Sequence, residues 1–201
     1  MPPEPWATLS LSGDCPTVFI PRRPEEARER GILIRWRWLD HGGFDPHVNA
    51  LIDGAEISEA FLDSIDAISS AGFSPPMGIR MFDSDREELR RRGARIRGGS
   101  LGLAFLLGAL CRATGTNWPP RTLAWGAIAP VRDGTLGVFP VEDVYAKTAM
   151  ALRLGANAII HVEDQHPPDW EGAVVPVRRS VAATLLVLGH LLQLEPRCTS
   201  T

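Results

Sequence analysis

The sequence predicts an α/β (α+β) fold built as a single domain, and three observations predict it. Runs with strand-like alternation take turns along the chain with runs of helical spacing. Glycine- and proline-marked turns between them leave short connections. No internal repeat or long low-complexity linker divides the 201 residues, a length that suits one α/β domain with an added arm. Residues 1–30 are read as an N-terminal arm or edge strand, and 31–201 as the domain.

The elements follow in order. The proline- and charge-rich start holds one alternating piece, Ala7 to Leu11, and a short apolar piece, Thr17 to Ile20, bracketed by Pro16 and Pro21 as in an edge strand. Ile32 to Leu39 alternates cleanly and predicts a half-buried strand. After the Asp40-His41-Gly42-Gly43 turn, His47 to Ile52 is read as its hairpin partner. Apolar residues at Ile57, Phe61, Leu62, Ile65 and Ile68 have helical spacing, and Gly72 ends that helix. Met77 to Phe82 is a candidate strand, and Asp83 to Arg92 is polar and solvent-facing. Leu101 to Thr114 forms an apolar helix stopped by Gly115. Strands are expected at Thr122 to Ile128, Gly134 to Phe139, Ala158 to Val162 and Val174 to Val177. Helices are expected at Glu142 to Leu154 and Ser180 to Leu194.

Composition narrows the function classes. With 44% hydrophobic and 22% charged residues the chain has ordinary globular make-up. A net charge of −3 offers no electrostatic argument for nucleic acid or for an acidic membrane as partner. The apolar stretches are too short or interrupted to span a bilayer, and no basic-then-apolar leader opens the chain, so a cytoplasmic location is the expectation. Cys15, Cys111 and Cys198 have neither metal-ligand spacing nor an even count. His41, His47, His161, His166 and His190 are scattered, and His190, inside an apolar helix, is read as a core residue. The single lysine lacks the glycines of a phosphate loop. No metal and no cofactor are expected.

Ser100 stands in the turn Gly98-Gly99-Ser100-Leu101-Gly102, ahead of the apolar residues Leu103, Ala104, Leu107 and Leu110. One reading is a helix N-cap, whose hydroxyl satisfies an orphan amide. The same placement suits a nucleophile, because helix N-terminal amides stabilise a developing oxyanion.

From Gly98 to Val162 the order of motifs resembles the proteolytic domain of Lon protease. The Gly-Gly-Ser-Leu-Gly turn is similar to that family's Gly-Pro-Ser-Ala-Gly. Arg112-Ala113-Thr114-Gly115 is similar to its Leu-Thr-Gly helix end, and Trp125-Gly126-Ala127-Ile128 to its Thr-Gly-Glu-Ile. Gly137-Val138-Phe139-Pro140 matches its Gly-x-Val-x-Pro strand. Leu154-Gly155 and Ile159-Ile160 resemble the helix end and final strand. Upstream, Asp53 to Ser69 resembles the family's helix, so the likeness spans roughly residues 32–165. It implies the ribosomal-protein-like fold of that domain. The departures are Arg97 in place of an acid three residues before the serine, Ala127 in place of the glutamate, and no histidine pair on Gly78 to Phe82.

The resemblance implies a serine–lysine dyad in which a neutral amine takes the serine proton. Such an amine requires burial or a neighbouring cation to lower its pKa, and arginine cannot replace it. The chain has one lysine, Lys147, against twenty arginines. Counted back from Gly155, the family's lysine falls on Tyr145, about 200° round the helix from Lys147. With Lys147 at that position, Met150, Ala151 and Leu154 form its core stripe; with Tyr145, Thr148, Ala149 and Leu152 do. The first stripe is the more apolar and favours Lys147, with Tyr145 kept as the alternative.

The expected function is therefore a Lon-like serine peptidase without an ATPase domain of its own. Ser100 would be nucleophile, Lys147 base and then acid, and the amides of Gly99 and Leu101 would bind the oxyanion. Its partner would be a protein or peptide substrate, with room for a separate ATPase or regulatory partner and for homo-oligomeric assembly. The alternative is a catalytically inactive Lon-like domain kept for protein binding, assembly or regulation, marked by Tyr145 at the lysine position. A third reading is a sensor or adaptor domain of a larger bacterial system.

Overall fold

The computed structural model describes residues 6, 9, 11–21, 30–165, 167 and 169–192. Among the described residues, three small sheets and five α-helices form a mixed α/β fold. Strand β1 (Asp14–Phe19) pairs antiparallel with β2 (Ile32–Leu39), and β2 pairs antiparallel with β4 (Gly78–Met81). The two-residue β3 (Gly43–Phe44) lies parallel to β4, so the first sheet runs β1-β2-β4-β3 with β1 at its edge. In β2 the side chains of Ile34, Trp36 and Trp38 are buried, as the period of two requires. Trp38 stacks on Phe61, and Trp36 meets Phe105 edge to face.

Residues 47–52 do not form the hairpin strand expected from the sequence. Pro46–Leu51 is a 3-10 helix, and the partner of β2 is β4 instead. Asp45-Pro46 is the reason. Asp45 caps this helix by accepting from the His47 amide at 3.0 Å, and Pro46 supplies a preset helical φ at its start. Val48 and Leu51, one turn apart, are the residues it buries. The Asp45 carboxylate is fully buried. It also accepts from the Met81 amide at 3.3 Å and faces Arg80 and Arg86 at 3.5 and 3.7 Å.

Helix α1 (Glu56–Ser70) buries the stripe Ile57, Ala60, Phe61, Ser64, Ile65 and Ile68 against the first sheet and a central helix. The charged segment after β4 is helix α2 (Asp83–Arg91), anchored by buried Leu89 and by Asp85, which accepts from the Arg35 amide at 2.7 Å. Arg90, Arg91 and Arg92 are exposed, as expected, and the last two pair with Glu88, whereas Arg86 turns inward toward Asp45.

The central helix is α3 (Gly102–Thr114), in which ten successive residues, Gly102 to Cys111, are buried. A helix apolar all round must be surrounded on all sides. It is, by β1, β2, α1 and the strands that follow. Gly115 ends it in the left-handed conformation at φ 71°.

The run 122–128, expected as one strand, is two. β5 (Thr122–Ala124) and β6 (Ala127–Pro130) are separated at Trp125-Gly126 and belong to different sheets. β6 forms an antiparallel hairpin with β7 (Leu136–Phe139). Helix α4 (Val144–Arg153) then leads to β8 (Ala158–Val162), which lies parallel between β5 and β9 (Ala173–Val177). Helix α5 (Val181–Leu191) follows, its N-terminus capped by Ser180. No helix among the described residues is long and apolar enough to cross a membrane.

Candidate active site

Ser100 does not cap a helix with its side chain. Gly99–Leu101 forms one 3-10 turn, Leu101 is the N-cap of α3, and neither helix start carries a side-chain cap bond. The turn is held by its backbone. The Gly126 amide donates to the Ser100 carbonyl at 3.0 Å, and the Leu103 amide donates to the Gly126 carbonyl at 2.8 Å. One glycine between β5 and β6 thus clamps the turn on both sides, which explains why the strand run breaks there.

Two glycines of the turn are required for different reasons. Gly98 adopts φ 86°, where a side chain is strained. Gly102 has an ordinary φ of −55°, but a Cβ on it would lie 2.7 Å from Ile128 Cγ1 and 2.8 Å from Ile128 N. Ala127, where the resemblance leads to an acid, packs beside Gly99.

Ser100 opens onto a cleft of about 1500 Å³. One wall is the edge strand β1 with the residues after it, another is the segment 92–98, and the third carries Asp143 and Lys147. Lys147 is the single lysine of the chain and retains only 6% of its exposure. Tyr145, two residues earlier, is 68% exposed. The helix therefore turns Lys147 into the cleft that holds Ser100 and turns Tyr145 out to solvent.

The ammonium of Lys147 donates to the Glu142 carbonyl at 2.6 Å. Burial lowers its pKa from the ordinary value, because the charged form loses hydration, and the nearby Asp143 and Glu142 carboxylates oppose that shift. Asp143 starts helix α4 from the left-handed region at φ 57°, a conformation that aspartate tolerates better than most residues. An amine with its pKa lowered by burial, in the same cleft as a hydroxyl at a helix start, is the ingredient list for general-base activation of serine. The predicted oxyanion donors Gly99 and Leu101 belong to that same helix start, where amides lack intrahelical acceptors.

Other chemistry-bearing residues lie elsewhere. Cys15 and Cys111 are buried free thiols, and burial pushes both pKa values up, that of Cys111 to about 12. Neither can supply thiolate near neutral pH. Cys198 and His166 lie outside the described residues. His161 is buried with Nδ1 2.6 Å from the Val162 carbonyl, while His41 and His47 are exposed. His190, read from sequence as a core residue, is exposed, since α5 directs Leu185 and Leu188 inward instead. Among the described residues no group of histidine, cysteine or acidic side chains could hold a metal ion.

A part of the cleft was not anticipated: Arg95 and Arg97 line it beside Ser100. The signal was present in the alternation of exposed Arg95, buried Ile96 and exposed Arg97. A scan against protein-family models finds no match for this chain, and a comparison with curated proteins finds none either.

Proposed function

We propose that the protein is a Lon-like serine peptidase in which Ser100 and Lys147 form the dyad. The observation that carries this reading is the burial of the only lysine in the cleft onto which Ser100 opens, with its pKa lowered and Tyr145 turned away. In the reaction the neutral Lys147 amine takes the Ser100 proton as the hydroxyl oxygen attacks the peptide carbonyl. The amides of Gly99 and Leu101 hold the oxyanion, and the Lys147 ammonium then protonates the leaving amine. Water, deprotonated by the same lysine, hydrolyses the acyl-enzyme. Substrate would be an unfolded or flexible protein segment, delivered by a separate ATPase or regulatory partner, and assembly into a homo-oligomer belongs to the same reading.

One observation favours the second reading, a non-hydrolytic domain used for binding or regulation. Lys147 already donates to the Glu142 carbonyl, with Asp143 and Glu142 favouring its charged form. Cleavage of a casein-like unfolded substrate separates the two. Ser100→Ala and Lys147→Ala should each lower the rate by at least about a hundredfold, the scale of general-base contributions. Retained activity in either variant, or none in the wild type with unfolded substrate, would exclude the dyad.

A further inference from the structure

The segment before Ser100 is pinned in extended form. The Ile96 amide donates to the Leu51 carbonyl at 2.7 Å, the Asp53 amide donates to the Ile96 carbonyl at 2.8 Å, and Ile52 and Ile96 form a parallel bridge. Ile96 is buried, so the period of two sends Arg95 and Arg97 together to the opposite side. Both are exposed, and both line the cleft. Arg97 lies three residues before Ser100.

The lining is one-sided in charge. Arg30, Arg92, Arg95, Arg97 and Lys147 face Asp53 and Asp143 among the described residues. Arg92 is committed to Glu88 and to the Arg30 carbonyl. Arg95 and Arg97 enter no ion pair among the described residues, although the arginines just upstream on α2 do. Two guanidinium groups on one wall, without an ion pair among the described residues, form a local positive site in a chain with net charge −3.

We infer that Arg95 and Arg97 are specificity-determining residues and that the cleft takes acidic peptide segments, with Arg97 holding the carboxylate nearest Ser100. Guanidinium forks match carboxylates in bidentate fashion. A peptide fits better than a nucleic acid for two reasons. Thr17, Val18 and Phe19 of β1, an edge strand among the described residues, line the same cleft, and an extended chain can add to a sheet edge. Tight binding of a phosphate backbone, by contrast, draws on many cationic contacts, and the overall charge opposes it. The cleavage preference that follows rests on the peptidase reading; the binding preference does not.

The test uses the Ser100→Ala chain and two labelled Gly-Ser peptides, one carrying glutamates and the other lysines at the same positions. Fluorescence anisotropy at low salt should show the glutamate peptide bound about tenfold or more tightly than the lysine peptide, the difference shrinking as salt screens it. Arg95→Gln with Arg97→Gln should remove the preference, and Arg95→Glu with Arg97→Glu should reverse it. Both positions are exposed, so the thermal midpoint should hold. Equal binding of the two peptides, or a preference unchanged in the charge-reversed chain, overturns the inference. So does a single-stranded RNA oligomer that binds more tightly than the glutamate peptide and displaces it. In the wild type, cleavage without charge preference keeps the dyad and removes the arginine site. Acidic preference without cleavage does the reverse.

Discussion

Gly102→Ala probes how tightly the Ser100 turn is built. The added methyl would lie 2.7 Å from Ile128 Cγ1, 2.8 Å from Ile128 N and 3.3 Å from the Gly126 carbonyl oxygen. Carbon atoms in good contact sit about 3.5–4.0 Å apart, so relief requires a shift approaching 1 Å. Two of the three neighbours are backbone atoms and cannot swing away. The shift must stretch the two bonds that clamp the turn, at 2.8 and 3.0 Å. Overpacking costs about 1–3 kcal/mol, and weakening a hydrogen bond costs about 1 kcal/mol. Alanine returns up to about 1 kcal/mol through its helix preference. The net expectation is about 1–3 kcal/mol of lost stability, a drop of about 3–10 °C in Tm for a chain of this size. Urea unfolding followed by tryptophan fluorescence measures it. Gly189→Ala is the control, because it lies inside helix α5 with nothing within 4 Å of an added Cβ. It should gain about 0.5–1 kcal/mol. A Gly102→Ala chain within about 0.5 kcal/mol of wild type, or stabilised like the control, would refute the close-contact reasoning.

Lys147→Met should stabilise the chain near pH 7 while removing any peptidase activity. Burial lowers the folded-state pKa, so between that value and the ordinary 10.5 the unfolded chain binds more protons and wild-type stability rises with pH. The variant's advantage, about 1 kcal/mol at neutral pH by the usual trade of stability for activity, should therefore shrink as pH climbs toward that ordinary value. Cleavage by the wild type should rise with pH along a limb centred below the ordinary lysine value. Paired thermal melts across pH check this, and a Met variant less stable than wild type at pH 7 contradicts it. Asp45→Ala removes a buried anion that caps one helix and faces Arg80 and Arg86. It should cost about 3 kcal/mol in urea unfolding; a loss below about 1 kcal/mol would mean that the arginines are fully served by solvent.

The legible parts of the sequence were those set by local pattern. The alternation from Ile32 to Leu39 and the helical spacing from Ile57 to Ile68 gave β2 and α1 almost to the residue. The errors lie where a distant contact or a cap overrides the pattern. Pro46–Leu51 has strand-like composition, but Asp45 and Pro46 start a helix there. Residues 122–128 look continuous, and only the docking of Gly126 on the Ser100 turn divides them. At the site, Ser100 was visible from its glycine neighbours. Between Lys147 and Tyr145 two sequence signals disagreed: the count back from Gly155 pointed to Tyr145, whereas the more apolar stripe Met150, Ala151 and Leu154 pointed to Lys147, and it is Lys147 that the helix buries. The arginine wall was legible only in part: the alternation about Ile96 is local, but the bridge to Ile52 that holds it in extended form joins residues far apart in the chain.

The burial of Lys147 has a practical corollary. No other side chain in the molecule carries a primary amine, so the whole repertoire of lysine-directed chemistry converges on one atom inside one cleft. A nitrogen-labelled lysine would give a single ε-amine resonance, and its titration would read the charge of the candidate base without any assignment problem. For the same reason the arginine-rich surface offers acylating enzymes and reagents no ε-amine to mark, leaving the exterior chemically quiet toward signals that are written on lysine.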